Sequence, residues 1–221
     1  MSSSPQSQSL LTLNKLRCER DDRVLFDQLA CEISAGDIVQ IHGPNGSGKT
    51  SLLRIILGLS QEFEGEICWR GEPMAKGLVD FRQNLLYIGH LPAINRSLTP
   101  IENLQWFGSL GGQAVFKALE DALAAVGLRG YEDIPGHHLS AGQHRRVALA
   151  RLYLSQAQLW ILDEPFTAID VHGVDKLRQL FANHAQQGGA VILTTHQDLG
   201  LDRVKLLDLA DFVPTRKKEV A

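Results

Sequence analysis

The alternation of apolar and polar residues predicts strands in the first part of the chain. Between residues 10 and 34, leucine, cysteine and isoleucine roughly alternate with polar positions, as in strands with one buried face. Asp21-Asp22 lies midway and predicts the turn between two such strands. Residues 37–42 then form a short apolar strand that runs into glycines, and residues 49–59 continue with leucine and isoleucine at helical spacing.

The middle of the chain changes to a helical pattern. Thr99 and Glu102 form a capping box around Pro100, a residue that favours the first helical position. Apolar residues between 114 and 126 fall on one helical face, ahead of a C-capping glycine. We therefore expect a mostly helical subdomain over about 97–155.

The last third returns to alternating strands and helices. The runs 159–162 and 190–193 are short and continuously apolar, which is typical of parallel strands buried on both faces. A helix with one apolar face separates them and ends at paired glycines. Together the three parts predict an α/β fold, in which an antiparallel β subdomain precedes a parallel core with a helical insertion.

Composition and charge narrow the classes of protein. With 22 basic and 25 acidic residues the net charge is −3, so we expect no nucleic-acid partner held by phosphate neutralisation. The three cysteines form no C-x-x-C pair, so we expect no cysteine metal site and a reducing compartment. No apolar run approaches the roughly 18 residues of a membrane span. Any membrane association is therefore expected to be peripheral, through partners.

These features set the expected organisation of the chain. Residues 1–9 are polar and lack an apolar signal core, so we expect a disordered lead-in there. Residues 10–213 are expected to form a single domain, because a chain of this length buries a full core without further support. Residues 214–221 are expected to be a polar tail. The protein is expected to be cytosolic.

Residues 43–50 match the phosphate-binding pattern G-x-x-x-x-G-K-[ST], between a predicted strand and a predicted helix. Glycines let the backbone curl so that consecutive N–H groups point at phosphate oxygens, and the helix start adds its positive end. In such a loop Lys49 reaches the β- and γ-phosphates of ATP, and the Thr50 hydroxyl binds Mg²⁺. The predicted ATP-binding residues are Gly43, Pro44, Asn45, Gly46, Ser47, Gly48, Lys49 and Thr50.

Two acidic residues at the end of a predicted strand complete such a site. Asp163 follows four apolar residues and is expected to hold Mg²⁺ together with Thr50. Glu164 comes next and is predicted to polarise the water that attacks the γ-phosphate. Alone, two acids at a strand end indicate no more than a loop. The phosphate loop in the same chain gives them the catalytic interpretation.

A capped helix carries the third motif. Leu139-Ser140-Ala141-Gly142-Gln143 precedes a helical pattern, and Ser140 and Gln143 form an S-x-x-Q capping box. Taken alone, this is a well-capped helix and nothing more. With the other motifs, however, the chain resembles the ATPase subunits of ATP-binding cassette (ABC) transporters. Their signature LSGGQ differs from this run in having glycine at the position of Ala141.

The resemblance to ABC ATPases covers nearly the whole chain and implies further roles. It implies a P-loop NTPase core of ABC type, with a switch at 87–91, Asp170 in the D-loop and His196 as the histidine that helps Glu164 to orient water. It also implies a head-to-tail homodimer that forms on ATP binding, in which the signature of one subunit acts on the partner's ATP. The signature residues are Ser140, Ala141, Gly142 and Gln143.

Two positions depart from the pattern of that family. His90 stands where most relatives have a glutamine that touches Mg²⁺ and water; a histidine still binds water, with a charge that varies with pH. Arg20 stands where relatives have an aromatic residue that stacks on adenine. Its flat guanidinium is suited to stack on the base, but a solvated arginine beside a turn is the simpler explanation. Both interpretations stay open.

Several runs narrow the resemblance within the family. The histidine after Ile88-Gly89 and the runs RCERDDRVLF, EPFTAID and GHHLSAGQHRR resemble the CcmA family, the ATP-binding subunits of the bacterial cytochrome c maturation system. This resemblance implies membrane subunits such as CcmB, alongside CcmC, and a place at the cytoplasmic face of the inner membrane. The residues leave open whether haem itself is exported or ATP drives the release of a haem chaperone.

Three other functions stay open on the sequence. The chain fits the ATPase subunit of a transporter for another substrate, because the groove for a coupling helix, expected at 97–107, is similar across transporters. His90 and the absence of the stacking aromatic residue also fit a non-hydrolysing, ATP-gated interaction module. A soluble cassette protein that clamps nucleic acid or ribosomes fits least, because such proteins usually carry two cassettes or a long insertion.

Overall fold

The computed structural model describes residues 9–109, 116–201 and 203–214. Most of the predicted lead-in and tail, and the first two residues of the helical pattern at 114–126, lie outside these ranges. The strands are β1 (Ser9–Arg20), β2 (Arg23–Ser34), β3 (Ile38–His42), β4 (Glu64–Trp69), β5 (Glu72–Pro73), β6 (Leu85–Ile88), β7 (Leu159–Asp163), β8 (Ala190–Thr194) and β9 (Val204–Asp208). The helices are α1 (Lys49–Ile56), α2 (Met74–Gln83), α3 (Pro100–Ser109), α4 (Phe116–Ala125), α5 (Ala141–Ala150) and α6 (Val171–Gln186).

An antiparallel sheet with strand order β2-β1-β4-β5 forms the first layer. The turn between β1 and β2 is at Asp21 and Asp22, as predicted, and both residues have positive φ angles, 50° and 57°. A hairpin turn with two left-handed residues matches the right-handed twist of the flanking strands, and aspartate tolerates that conformation. This turn brings the end of β1 and the start of β2 close to the parallel sheet, where the site lies.

The second sheet is parallel, with strand order β6-β7-β8-β3-β9. All residues of β7 and β8 are buried, which confirms the prediction that these apolar runs are parallel strands covered on both faces. In such sheets ligands bind beyond the carboxyl ends of the strands. Here those ends lead into the loop 43–48 after β3, Glu164 after Asp163 at the end of β7, and segments with a histidine after β6 and β8.

Three apolar clusters hold the layers together. One lies between the antiparallel sheet, α1 and one face of the parallel sheet, and a second covers the opposite face with α6. The third belongs to the predicted helical subdomain and contains the facing residues Ile101, Leu104, Leu119, Leu123 and Val147. Helix α5 contributes to both the second and the third cluster. It therefore joins the helical subdomain to the parallel core.

Some elements differ from the expectations. Helix α1 ends at Ile56, because Gly58 takes a left-handed conformation with φ 69°. Helix α2 buries Phe81 alone and strand β9 exposes Lys205 and Leu206, so neither has a pattern strong enough to be predicted. In the described ranges no helix is long and apolar enough to cross a bilayer.

Candidate active site

The loop between β3 and α1 has a backbone that only glycine adopts readily. Gly43, Gly46 and Gly48 have φ angles of 143°, 78° and 102°. A β-carbon on Gly43 would lie 2.5 Å from Ser47 Oγ, and one on Gly48 would lie 3.1 Å from Leu25 Cβ. The loop therefore curls tightly around a space at the start of α1, as the phosphate-binding pattern predicts.

Lys49 lies over this loop. Its Nζ donates to the carbonyl oxygens of Gly43 and Pro44, at 2.6 and 3.1 Å. The ammonium group is thus held beside the loop by these two carbonyls. Thr50, the next residue, is exposed in the first turn of α1.

The loop borders an open cleft with a volume of about 780 Å³. The cleft is lined from three sides: by the phosphate loop and the first turn of α1, by the ends of β6 and β7, and by the turn between β1 and β2. The lining residues are Arg20, Asp21, Arg23, Leu25, Asn45, Gly46, Gly48, Lys49, Thr50, Ser51, His90, Asp163 and Glu164. Five of the eight predicted loop residues therefore share one space with His90 and the acidic strand end. The predicted residues Gly43, Pro44, Ser47 and His196 do not line this cleft. The Arg20 side chain, 69% exposed, lies at its rim.

Asp163 is held by a buried hydroxyl group. Thr194 at the end of β8 donates from Oγ1 to Asp163 Oδ1 at 2.7 Å, and Asp163 is 5% exposed. A short hydrogen bond of this kind fixes the rotamer of the carboxylate. The sequence analysis gave no role to Thr194. The signal for it is its position at the end of the apolar strand β8, which pairs with the strand of Asp163 in the sheet.

Glu164 stands on a constrained backbone. Its φ angle is 50°, a left-handed conformation that is uncommon outside glycine. Its N–H donates to Thr194 Oγ1 at 2.9 Å and to the Thr194 carbonyl at 3.2 Å. His196 Nε2 lies 3.7 Å from Glu164 Oε1, so the structure brings these two predicted catalytic residues together. Left-handed residues of this kind persist only where neighbouring contacts hold them.

Gln40 supports the segment that carries His196. This side chain is buried within β3, and its Nε2 lies 3.3 Å from each of the carbonyl oxygens of Thr195 and Gln197. Two carbonyl acceptors require the amide NH₂ at that position. Gln40 was not predicted from the sequence, and its position between the apolar residues Val39 and Ile41 is the signal that points to it.

The signature motif begins α5, away from this chain's own cleft. Ser140 Oγ accepts from the Gln143 N–H at 3.2 Å, and the Ser140 N–H donates to Gln143 Oε1 at 2.8 Å, which confirms the capping box. Ser140 and Ala141 are exposed and line no part of the cleft described above. The Ala141 methyl therefore has room. A β-carbon on Gly142 would lie 3.3 Å from the Ala168 carbonyl, a tight contact.

Asp170, at the end of the loop that follows β7, connects this loop to α5. Its Oδ1 accepts from the Gly173 N–H at 2.8 Å, and this caps α6. Its Oδ2 forms an ion pair with Arg146 of α5. The hydrogen bond from Gly173, followed by the charge of Arg146, holds the pKa of Asp170 below its usual range. The predicted D-loop residue thus contacts the helix that starts with the signature.

Comparison with known proteins agrees with this arrangement. A family model described as "ABC transporter" matches residues 26–167. The chain is 54% identical, over 197 residues, to the "Cytochrome c biogenesis ATP-binding export protein CcmA" of Escherichia coli (strain K12), with 89% of this chain and 94% of that protein covered. It is 56% identical, over 191 residues, to the protein of the same name from Yersinia pestis, with 86% and 88% covered.

Solved structures give the same fold. An ATP-binding protein assigned to an ABC transporter of Pyrococcus furiosus superposes with a TM-score of 0.80 at 28% sequence identity. The superposition covers 93% of this chain and 100% of that chain. The antiparallel sheet, the parallel core and the helical subdomain are therefore parts of a known architecture.

Proposed function

We propose which residues bind and hydrolyse ATP in this chain, which belongs to the ABC transporter family and, within it, to the CcmA group of cytochrome c biogenesis ATP-binding export proteins. The chain is the ATP-hydrolysing subunit of an ABC export complex in c-type cytochrome biogenesis. The single observation that carries the assignment of residues is the shared cleft, in which Lys49, Thr50, Asp163 and Glu164 meet.

The phosphate loop binds the triphosphate of ATP. Apart from Pro44, which has no N–H, the residues from Gly43 to Gly48 offer backbone N–H groups just ahead of α1, and Lys49 offers its charge to the β- and γ-phosphates. The two contacts of Lys49 with loop carbonyls hold its ammonium group beside the loop. The base then extends toward the turn between β1 and β2, where Arg20 lies at the rim of the cleft.

Magnesium fits this site by its donor set. The Asp163 carboxylate and the Thr50 hydroxyl line the same cleft, and both present the hard oxygen atoms that Mg²⁺ prefers. We assign the ion to these two residues. Bound with ATP, Mg²⁺ neutralises the negative charge that accumulates on the phosphates.

Hydrolysis requires a base at the γ-phosphate end of the cleft. Glu164 is assigned this role: it accepts a proton from the attacking water, while His196, 3.7 Å away, orients the water and contacts the γ-phosphate. His90 lines the same cleft and is assigned the role of the switch residue, which would hold water there. The left-handed backbone at Glu164 supports the assignment, because strained residues of this kind concentrate at functional sites.

A second copy of the chain completes each site. The exposed, serine-capped start of α5 has a positive helix end with backbone N–H groups, and it lines no part of its own chain's cleft. Ser140 and Gly142 therefore act on the γ-phosphate of ATP bound by the partner copy. ATP joins the two copies head to tail, and hydrolysis releases them.

The membrane partners are integral subunits of the CcmB and CcmC type, which hold the chain at the cytoplasmic face of the inner membrane. Trp106 in α3 exposes 58% of its surface, which supports docking of a partner helix on the helical subdomain. The complex serves haem handling, either by haem export or by release of a haem chaperone. Co-purification tests this: membrane subunits of both types should accompany the chain, and their absence would contradict the assignment.

The decisive test of catalysis is Glu164→Gln, which keeps the shape of the side chain and removes the base. Phosphate release should fall by about 10²–10⁴-fold, while ATP binding persists and ATP-loaded dimers accumulate in light scattering. Glu120→Gln, at an exposed position of α4, is the matched control and should behave as the wild type. Unchanged turnover of Glu164→Gln would remove this residue from its role as the base.

A further inference from the structure

Arg145 is a buried arginine that makes its hydrogen bonds to backbone carbonyl groups. It lies in α5, five residues after the signature serine, and is 4% exposed. Its Nη1 donates to the Gly89 carbonyl at 2.6 Å, and its Nη2 donates to the carbonyls of Asp163 and Glu164 at 2.8 and 2.7 Å. A weaker contact of 3.4 Å joins Nη1 to the His90 carbonyl. One guanidinium thus links three segments of the chain.

These three segments carry the chemistry proposed above. Gly89 and His90 belong to the switch after β6, Asp163 ends β7 and Glu164 follows it, and α5 begins with the signature. Asp163, Glu164 and Gly89 lie 18, 19 and 56 residues from Arg145 in the sequence. The contacts therefore depend on the tertiary fold. Helix α5 is itself packed into both the parallel core and the helical subdomain.

The planar fork of a guanidinium is what makes such a bridge feasible. Its N–H groups diverge in fixed directions, so that Nη1 and Nη2 reach acceptors on two different segments at once. A lysine ammonium presents its three donors on one nitrogen and is shorter, so it reaches one side at a time. Burial lowers the pKa of Arg145, while the nearby charges of Asp163 and Glu164 favour its cationic form.

We propose that Arg145 is a positioning residue that fixes the carbonyl groups of Glu164 and Gly89 to the signature helix, so that α5, the catalytic acid and the switch move as one body. This inference rests on the proposed function and deepens it. When the start of α5 closes on the ATP of the partner copy, the same rigid connection sets the position of Glu164 and His90 in its own cleft. The left-handed turn at Glu164 depends on this bond at its carbonyl side and on Thr194 at its amide side.

The test compares Arg145→Gln and Arg145→Lys with Leu149→Ala in the full chain purified with its membrane subunits. Leu149 is buried in the same helix and is 1% exposed, so its truncation weakens α5 without touching the bridge. Each variant is assayed at the same interval below its own melting temperature. Arg145→Gln should lose about 100-fold in kcat, the size expected when a catalytic group is displaced by about 1 Å.

The affinity for nucleotide distinguishes a positioning role of Arg145 from a role in binding ATP. Arg145 does not line the cleft, so the Kd for a non-hydrolysable ATP analogue should stay within about twofold of wild type, well under the tenfold that 1.4 kcal/mol represents. Arg145→Lys should recover part of the rate, and Leu149→Ala should keep nearly all of it. Hydrogen exchange in peptides covering 86–92 and 160–167 should accelerate for Arg145→Gln, accelerate less for Arg145→Lys, and stay unchanged for Leu149→Ala.

The outcomes are distinguishable. If Arg145→Gln keeps its kcat, or if Leu149→Ala loses as much, the positioning role is refuted while the proposed function stands. If the wild-type complex hydrolyses no ATP, the proposed function fails, and the exchange rates of the two peptides still decide whether the bridge exists. If Arg145→Gln does not fold, Arg145→Lys decides alone: a wild-type kcat and unchanged exchange refute the inference, and a reduced kcat with unchanged nucleotide binding supports it.

Discussion

Thr194→Val tests the buried hydrogen bond that orients the acidic strand end. The Thr194 hydroxyl donates to Asp163 at 2.7 Å and accepts from the Glu164 N–H at 2.9 Å, and Thr194 is fully buried. Valine keeps the shape of the side chain and removes both interactions. The Glu164 N–H retains the Thr194 carbonyl at 3.2 Å, so the main loss falls on the buried carboxylate.

The loss can be estimated from this geometry. A hydrogen bond to a charged group contributes about 1.5–3 kcal/mol, and a buried acceptor left without its donor costs a similar amount. We therefore expect the free energy of unfolding to fall by about 2–3 kcal/mol. For a chain of this size each 1 kcal/mol lowers the melting temperature by about 2–4 °C, so the melting temperature should fall by about 4–12 °C.

Activity should fall with stability, because Asp163 and Glu164 both lose a positioning contact. We expect kcat for ATP hydrolysis to drop by about 100-fold, as for other small displacements of catalytic groups. Calorimetry measures the first effect and phosphate release the second. Thr194→Ser is the matched control: it keeps the hydroxyl, loses one methyl group worth about 1 kcal/mol, and should hydrolyse ATP almost normally. Equal losses in the valine and serine variants, or none in the valine variant, would refute the reasoning.

Three further predictions concern other parts of the molecule. Gly43→Ala should abolish ATP binding in a fluorescent-nucleotide titration, because its β-carbon meets Ser47 Oγ at 2.5 Å and φ is 143°. Gln40→Leu should lower kcat about tenfold, or 1.4 kcal/mol in the barrier, with KM for ATP nearly unchanged, because the segment of His196 loses its support. Burial lowers the pKa of His184. The neutral side chain therefore stabilises the fold fully above the unfolded pKa of about 6.5, and this stabilisation is lost as the pH falls through the lowered value. Melting temperatures measured from pH 8 to 5 should fall less in His184→Gln than in the wild type.

The features that the sequence determined are those made by neighbouring residues. The phosphate loop needs glycines at fixed spacing, and its curl is confirmed at Gly43 and Gly48. The capping box at Ser140 joins residues three positions apart, and the one at Thr99 does the same. Continuous apolar runs likewise predicted β7 and β8, because strands covered on both faces have no polar side.

Elements with a weak hydrophobic pattern, and hydrogen bonds between residues far apart in the sequence, could be identified only from the tertiary structure. Helix α2 and strand β9 bury few residues, so their sequences carry little periodicity. The bond of Thr194 to Asp163 and the bridge from Arg145 to Gly89 join residues 31 and 56 positions apart. Which buried donor meets which acceptor depends on the order of strands in the sheet, β6-β7-β8-β3-β9. Local periodicity reports only whether a residue faces the core, and so the sequence by itself specified the chemical groups of this site, while the packing of the parallel sheet decided how they are held.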